Sequence, residues 1–346
     1  MNSPEFEALV DLSAKIGADP YLVQGAGGNT SIKEGGTLWI KASGLWLAHA
    51  RQRDVMVPVA LDPLLEALDR DDPACEKAQE FVIKDKNPSG LRPSIETTVH
   101  AQMPQRVVVH VHCVETIATA VQQDAERLTA ERLDGLPHAF VPYARPGLPL
   151  ARGIGARLKP DTSVLVLGNH GLVVAAETVD GAAALLADAQ ARLRATPRAA
   201  PTADETALAR LALDSDYVLP DDPAIHAAAT DLENCRIGAG GNLYPDHVIF
   251  LGRALAIAAP GETARAIVEK SGETPPVILF PGTGVLVRRD AGAGALAMAR
   301  CFADMGLRIP EGARLRYLTH AENAELLGWD AEKYRQELNR AGQALQ

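Results

Sequence analysis

Apolar residues recur along this chain with two periods, and the alternation between them outlines its elements. Phe6, Leu9, Val10, Leu12 and Ile16 fall on one face of a predicted helix over 6–16. Leu38-Trp39-Ile40-Lys41 reads as a strand, and Pro63 to Lys77 as a helix. Pro93-Ser94-Ile95-Glu96 opens a further helix with Ser94 at its N-cap. The β-branched run Val107 to Val111 predicts a strand, and Cys113 to Gln122 a helix packed behind it. Val164 to Ala175 reads as strand, turn at Asn169-His170-Gly171, and strand, followed by an alanine- and leucine-rich helix from Thr178 to Arg194. Short strands mixed with helices and hairpin-like turns predict an α/β fold with an antiparallel or mixed sheet.

Ala195-Thr196-Pro197-Arg198-Ala199-Ala200-Pro201-Thr202 is rich in proline and small residues, and marks a boundary between a first domain over 1–200 and a smaller α/β domain over 203–346. In the second part, Val277 to Val287 follows the pattern of Val164 to Val174. Gly284 stands where Gly171 does, Gly294 where Gly181 does, and Thr283 takes the place of His170. Two explanations stay open: a degenerate internal repeat that kept packing positions and lost a ligand, or the shared look of any strand–turn–strand–helix. The second part would then complete an oligomer interface, cover the site of the first, or be a worn copy of it.

Composition narrows the function classes. The 346 residues are 47% hydrophobic and 23% charged, as in soluble globular proteins. A net charge of −10 argues against general nucleic-acid binding and against an anionic membrane surface. No apolar run approaches a membrane span, and Met1-Asn2-Ser3-Pro4-Glu5 has no signal-peptide pattern. Cys75, Cys113, Cys235 and Cys301 are far apart and form no CxxC pair, so a reduced, cytoplasmic protein is expected.

The chemistry concentrates in a few short segments. His110 and His112 are two apart on the predicted strand, so both imidazoles leave one face while Val109, Val111 and the packing residue Cys113 lie away from them. With His170 at its turn they suit an open metal site, which leaves a position for substrate. Glu96 lies just upstream, and a carboxylate beside a dication serves as ligand or general acid/base. His100, four residues on, reads as a hydrogen-bonded core histidine, and His49, His138, His226, His247 and His320 as ordinary surface or core residues. Gln24-Gly25-Ala26-Gly27-Gly28-Asn29-Thr30-Ser31 is a glycine-rich loop able to present N–H groups to an anion, without the spacing of a Walker or dinucleotide loop. Lys41-Ala42-Ser43-Gly44 is a second such turn. With Lys33, Lys41 and Arg92 near in sequence, the two loops favour a phosphate or carboxylate on a small-molecule substrate.

Taken in order, Gly27-Gly28-Asn29-Thr30-Ser31, Ala42-Ser43-Gly44, Ser94-Ile95-Glu96, His110-Val111-His112, Tyr143-Ala144-Arg145-Pro146-Gly147 and Asn169-His170-Gly171 resemble the class II aldolase/adducin family over residues 6–195. The wording Arg92-Pro93-Ser94-Ile95-Glu96-Thr97 is similar to the aldolase half of bifunctional rhamnulose-phosphate aldolase/alcohol dehydrogenases. Tyr244-Pro245-Asp246-His247-Val248 and Pro281-Gly282-Thr283-Gly284 resemble the segment between their two halves, although no dehydrogenase nucleotide fingerprint follows here.

The resemblance implies a central, mainly antiparallel sheet flanked by helices. It assigns His110, His112 and His170 to Zn2+, a donor set that Mn2+, Fe2+ or Co2+ also accept. Glu96 becomes the fourth ligand and the acid/base. Gly28, Asn29, Ser43, Gly44 and Ser94 cradle a phosphate, and Tyr143 protonates the leaving aldehyde's oxygen, often across a subunit boundary. Ile95 departs from the second serine usual in the family's sugar-phosphate aldolases, so the substrate carries a phosphate, a carboxylate or no anion. The implied protein is a homo-oligomeric, commonly tetrameric, metal-dependent aldolase of carbohydrate metabolism that cleaves a C–C bond through a zinc-stabilised enediolate. A sugar-acid decarboxylase or 4-epimerase on the same scaffold is the neighbouring alternative. A non-catalytic, adducin-like assembly protein is the other, against which the intact histidine set and Glu96 stand.

Overall fold

The computed structural model describes residues 3–329. The chain forms two compact units, one from the residues up to Ala120 with Asp124–Arg194, the other from Val121–Gln123 and the chain after Arg194.

The first unit runs α1 (Pro4–Gly17), β1 (Asn29–Glu34), β2 (Thr37–Lys41), β3 (Met56–Ala60), α2 (Leu61–Asp69), α3 (Thr97–Gln102), β4 (Val107–Val111), α4 (Val114–Ala120) and α5 (Ala125–Arg132). It continues through β5 (His138–Val141), α6 (Leu148–Gly155), β6 (Val164–Leu167), β7 (Gly171–Ala176) and α7 (Val179–Leu193). The seven strands lie in the order β3-β2-β1-β4-β7-β6-β5. Every pair is antiparallel except β5–β6, so the sheet is large, mainly antiparallel and flanked by helices.

β4 is the middle strand because its side chains can be buried on both faces. Val107, Val109, Val111 and the following Cys113 join Leu9, Leu12 and Ile16 of α1 and Leu186, Ala189 and Leu193 of α7 in one cluster. Val108 points the other way, to Val99 of α3 and Leu150 and Ile154 of α6. Alternation along a β-branched strand thus fills two cores at once. α1 reaches its place with a well-made start: Ser3 Oγ accepts from Phe6 N at 3.0 Å, and Pro4 sits at the first turn. Such a cap contributes about 1 kcal/mol.

Two predicted boundaries move. The helix expected over 63–77 stops at Asp69, because Asp71 turns left-handed (φ 55°) and Pro73, which has no N–H to give, begins a separate 3-10 turn. The helix expected from Ser94 starts at Thr97. Ser94 instead closes a tight turn, its Oγ accepting from Glu96 N at 3.2 Å and its carbonyl from Thr97 Oγ1 at 2.6 Å. That turn swings Glu96 onto the sheet face rather than along a helix.

In the second unit β8 (Tyr217–Val218), β9 (Ala256–Ile257), β10 (Val277–Phe280) and β11 (Gly284–Arg288) form a smaller sheet in the order β8-β11-β10-β9. The β10–β11 hairpin leads to the helix Ala293–Gly306, as β6–β7 leads to α7. Where Gly171 lies against His110 and His112, Gly284 lies against His226, whose Nδ1 accepts from Val285 N at 3.0 Å. Arg198 ties this unit together, donating to both carboxylate oxygens of Asp231 (3.1 and 2.8 Å), to Asn234 and to the Gly306 carbonyl. Among the described residues no helix is long and apolar enough to cross a membrane.

Two expectations follow from packing. A Cβ at Gly171 would collide with the Val111 carbonyl and lie 3.2 Å from His110 Cε1. Gly171→Ala should therefore cost about 1–3 kcal/mol, read as a lower urea midpoint at unchanged slope. In the second unit burial pushes the His247 imidazole down to about 3, against the opposing pull of Asp246. Below about pH 6.5 the unfolded chain takes up a proton that the folded ring refuses, so stability falls by up to about 1.4 kcal/mol per pH unit on the way to pH 3. His247→Leu should remove that share of the acid slope in denaturation measured across this range.

Candidate metal and acid–base site

The register of three strands assembles the site. β1 pairs with β4 so that Asn29 lies opposite His110, and β4 pairs with β7 so that His110 lies opposite Val173. Side chains directly opposite, and those two residues along, share a face. Asn29, Ser31, His110 and His112 therefore emerge on the side that α3 covers. His170 arrives from the β6–β7 turn, where Asn169 adopts the left-handed conformation (φ 52°) that asparagine tolerates and His170 N donates to Leu167 O at 3.1 Å.

The three imidazoles form a near-equilateral group with ring centroids 5.0, 4.9 and 5.1 Å apart, all buried. One nitrogen from each lies within 4.8 Å of the others. His110 Nδ1 is 3.0 Å from the Leu172 carbonyl, which can only accept. In the neutral ring the hydrogen thus sits on Nδ1 and the Nε2 lone pair faces inward, the arrangement in which outer partners hold metal-binding histidines. His112 Nε2 approaches His110 Nε2 at 3.1 Å.

Glu96 fills the remaining corner. Its Oε2 lies 3.4 Å from His110 Nε2 and its Oε1 3.4 Å from His170 Nε2. Asn29 Nδ2 donates to Oε2 at 2.8 Å, while Oε1 is buried without a hydrogen-bond partner among the described residues. Burial works against the charged form, but positive charge on the imidazoles of His110, His170 and His112, with the Asn29 amide, holds the carboxyl down at about 2. A tetrahedral zinc centre with bonds of 2.0–2.1 Å has edges of about 3.3–3.4 Å. The 3.1 Å spacing of His110 and His112 and the 3.4 Å approaches of Glu96 to His110 and His170 are near that edge length, within a histidine set whose nitrogens lie within 4.8 Å of one another, and a dication would meet the charge of a carboxylate sealed from water. The residues fit a divalent metal ion.

The glycine-rich loop packs directly on the histidines. A Cβ at Gly27 would lie 2.7 Å from His112 Nδ1, and Gly28 (φ 62°) admits none without meeting the His110 carbonyl at 2.9 Å. Buried Lys41 pins the loop by donating to the carbonyls of Ala26 (2.6 Å) and Gly28 (3.1 Å). The turn at Ser43 and Gly44 pairs with the chain before Glu96: Ser43 N donates to Arg92 O at 2.9 Å and Ser94 N to Lys41 O at 3.0 Å. Ser94 Oγ also accepts from Asn29 Nδ2 at 3.1 Å. Ser43 Oγ is buried without a hydrogen-bond partner among the described residues, and Ile95 is half-buried beside Ser94.

Not every nearby cation serves this site. Lys33 leaves it, its ammonium donating to the carbonyls of Met103 and Gln105, and Arg92 is exposed. Tyr143 is half-buried, with its backbone nitrogen beside Gly168 in the approach to His170, and its role rests on the resemblance alone. Two participants escaped the sequence reading: Lys41 as a brace, and the bonding of His100 to Ser31 and Asn29. The two-residue spacing of Asn29 and Ser31 and the four-residue step from Glu96 to His100 were their only signals.

Comparison with known proteins adds the lineage. The chain is 32% identical over 187 residues to the uncharacterized oxidoreductase YuxG of Bacillus subtilis (strain 168), a match that covers 50% of this chain and only 26% of that protein. It is similar to the N-terminal class II aldolase domain of a conserved protein from Thermoplasma acidophilum (28% identity, 56% of this chain, 93% of that one, TM-score 0.48). It is also similar to L-fuculose-1-phosphate aldolase from Thermus thermophilus (17% identity, 56% and 93% covered, TM-score 0.37). The family profile of the class II aldolase and adducin N-terminal domain matches residues 7–195, over half of the chain and the whole of the sheet that carries the histidines, and the chain belongs to that family.

Proposed function

We propose that this chain is a metal-dependent lyase that reversibly breaks a C–C bond in a sugar phosphate or related hydroxy-keto compound. The observation that supports it best is the buried Glu96 carboxylate, 3.4 Å from two of three clustered imidazole nitrogens. His110, His112 and His170 would hold the ion, Zn2+ by the match of donor type and spacing, with Glu96 completing the set at rest. A divalent cation bound there supplies Lewis acidity toward the substrate's carbonyl and neighbouring hydroxyl oxygens.

The protein's own groups account for the protons. When the bond breaks, the hydroxyl hydrogen on the carbon that becomes the aldehyde must leave. The bonding pair passes toward the ketone oxygen, and the former nucleophilic carbon finally takes a proton. In the direction of bond formation the ionised Glu96 would take the proton from carbon, and in cleavage the carboxyl, having gained a proton, would return it to carbon. Tyr143 is assigned the proton on the aldehyde oxygen, from the same or a neighbouring subunit of a homo-oligomer. Gly28, Asn29, Ser43, Gly44 and Ser94 would bind the anionic end, and the unsatisfied Ser43 hydroxyl supports this. Ile95 offers that end no hydroxyl, which favours a smaller or less charged group.

The test joins binding to turnover. Zn2+ at about 100 times its dissociation constant should stabilise the protein by about 2.7 kcal/mol, and His112→Ala should abolish that gain with circular dichroism unchanged. With ketose 1-phosphates as substrates, the same variant should lose at least about 10–100-fold in aldehyde release. Turnover retained after chelation, or in His112→Ala, would overturn the proposal. Carbon dioxide or isomer exchange in place of aldehyde would replace the lyase with a decarboxylase or an epimerase.

A further inference from the structure

His100 lies outside the metal-binding set, yet it is fully buried and bonded at both ring nitrogens. Its Nδ1 is 2.7 Å from Ser31 Oγ, and its Nε2 meets Asn29 Oδ1. Asn29 in turn gives its amide nitrogen to Glu96 Oε2 (2.8 Å) and Ser94 Oγ (3.1 Å). Chemistry fixes the direction of every link. An ionised carboxylate only accepts, so Asn29 must turn Nδ2 toward Glu96 and Oδ1 toward His100. Oδ1 only accepts as well, so His100 must carry its hydrogen on Nε2. Its Nδ1 is then the acceptor, and the Ser31 hydroxyl donates. The run Ser31 → His100 → Asn29 → Glu96 therefore points one way, each donor polarised toward the carboxylate.

We propose that His100 and Ser31 are positioning residues for Glu96. By fixing which end of the Asn29 amide faces the carboxylate, they tie Oε2 down beside His110 and leave Oε1, which has no hydrogen-bond partner among the described residues, presented to His170. Without the Nε2 hydrogen, Asn29 Oδ1 loses its anchor, and only the contacts of Nδ2 with Glu96 and Ser94 still hold the amide's orientation. A flipped amide would set oxygen against oxygen at Glu96 and drive the carboxylate from its corner. His110 is oriented by the Leu172 carbonyl on β7 and does not depend on this chain of bonds, so the histidine set should survive its loss. The kinetic arm of the test rests on the lyase proposal; the spectroscopic arms do not.

The first measurement needs no variant. 15N NMR of the protein labelled at histidine should show His100 neutral, with its hydrogen on Nε2; a hydrogen on Nδ1 would overturn the assignment. The second uses the Co2+-loaded protein, whose visible bands report the ligand set. His100→Leu should change those bands while metal stoichiometry stays at one. His100→Gln, whose amide can still donate to Asn29, should restore them. On a substrate that the wild type turns over, His100→Leu should lower kcat about 10–100-fold with KM little changed, and His100→Gln should recover most of it. A folded, loaded His100→Leu protein with the wild-type spectrum would overturn the proposal whatever the substrate. If His100→Leu does not fold, Ser31→Ala replaces it, with a smaller change of the same Co2+ bands as the expected result and the wild-type spectrum as the overturning one. Absence of aldehyde release by the wild type would count against the lyase and leave both spectroscopic results standing.

Discussion

A carboxylate removed from water among three imidazoles sets the terms for the rest of the first unit. Burying an unpaired ion is costly, and the cost is met only by close, well-aimed partners. The imidazoles must therefore stand at fixed spacing, the amide of Asn29 must face the right way, and the backbone around them must approach closely. The glycines at 27 and 171 are where that approach is made, since a methyl group at either would touch the rings or the strand carrying them. Lys41 serves the same end from below, holding the loop's carbonyls so that its chain runs tight against His112.

The site is also economical in its scaffolding. β4 carries His110 on one face and three valines into the opposite core, with His112 just past its end, so the strand that anchors the fold also positions the histidine cluster. Its neighbours add the orienting groups: β1 brings Asn29 and Ser31, and β7 brings the carbonyl that selects the tautomer of His110. Placing such groups on paired strands limits their freedom more than loops would.

Much of this was legible in the sequence because it depends on short-range periodicity. The valine run, the same-face histidines, the hairpin around His170 and the helices at both ends of the first unit all announce themselves within a few residues. Pairing across the sheet does not. Nothing local says that Asn29 faces His110, that Lys33 is drawn off to carbonyls near Met103, or that Lys41 reaches back to Ala26. The error at Ser94 had a similar origin. Its hydroxyl looks like a helix cap in isolation, and only the neighbouring strand turn shows that it closes a loop and lets the helix begin three residues on. The break after Asp69 was visible in Pro73, and the apolar periodicity simply outweighed it.

The alignment of Asn29 with His110 has a further meaning for how the chain avoids misfolding. Sliding β1 or β4 by a single residue would turn amide, hydroxyl and both imidazoles into the greasy layer filled by Val107, Val109 and Val111, and would put those valines where the polar groups belong. The polar side chains of the cluster thus double as registration pins: a sheet whose central strands could otherwise slip along featureless β-branched runs has one alignment that satisfies them, and any other is penalised several times over.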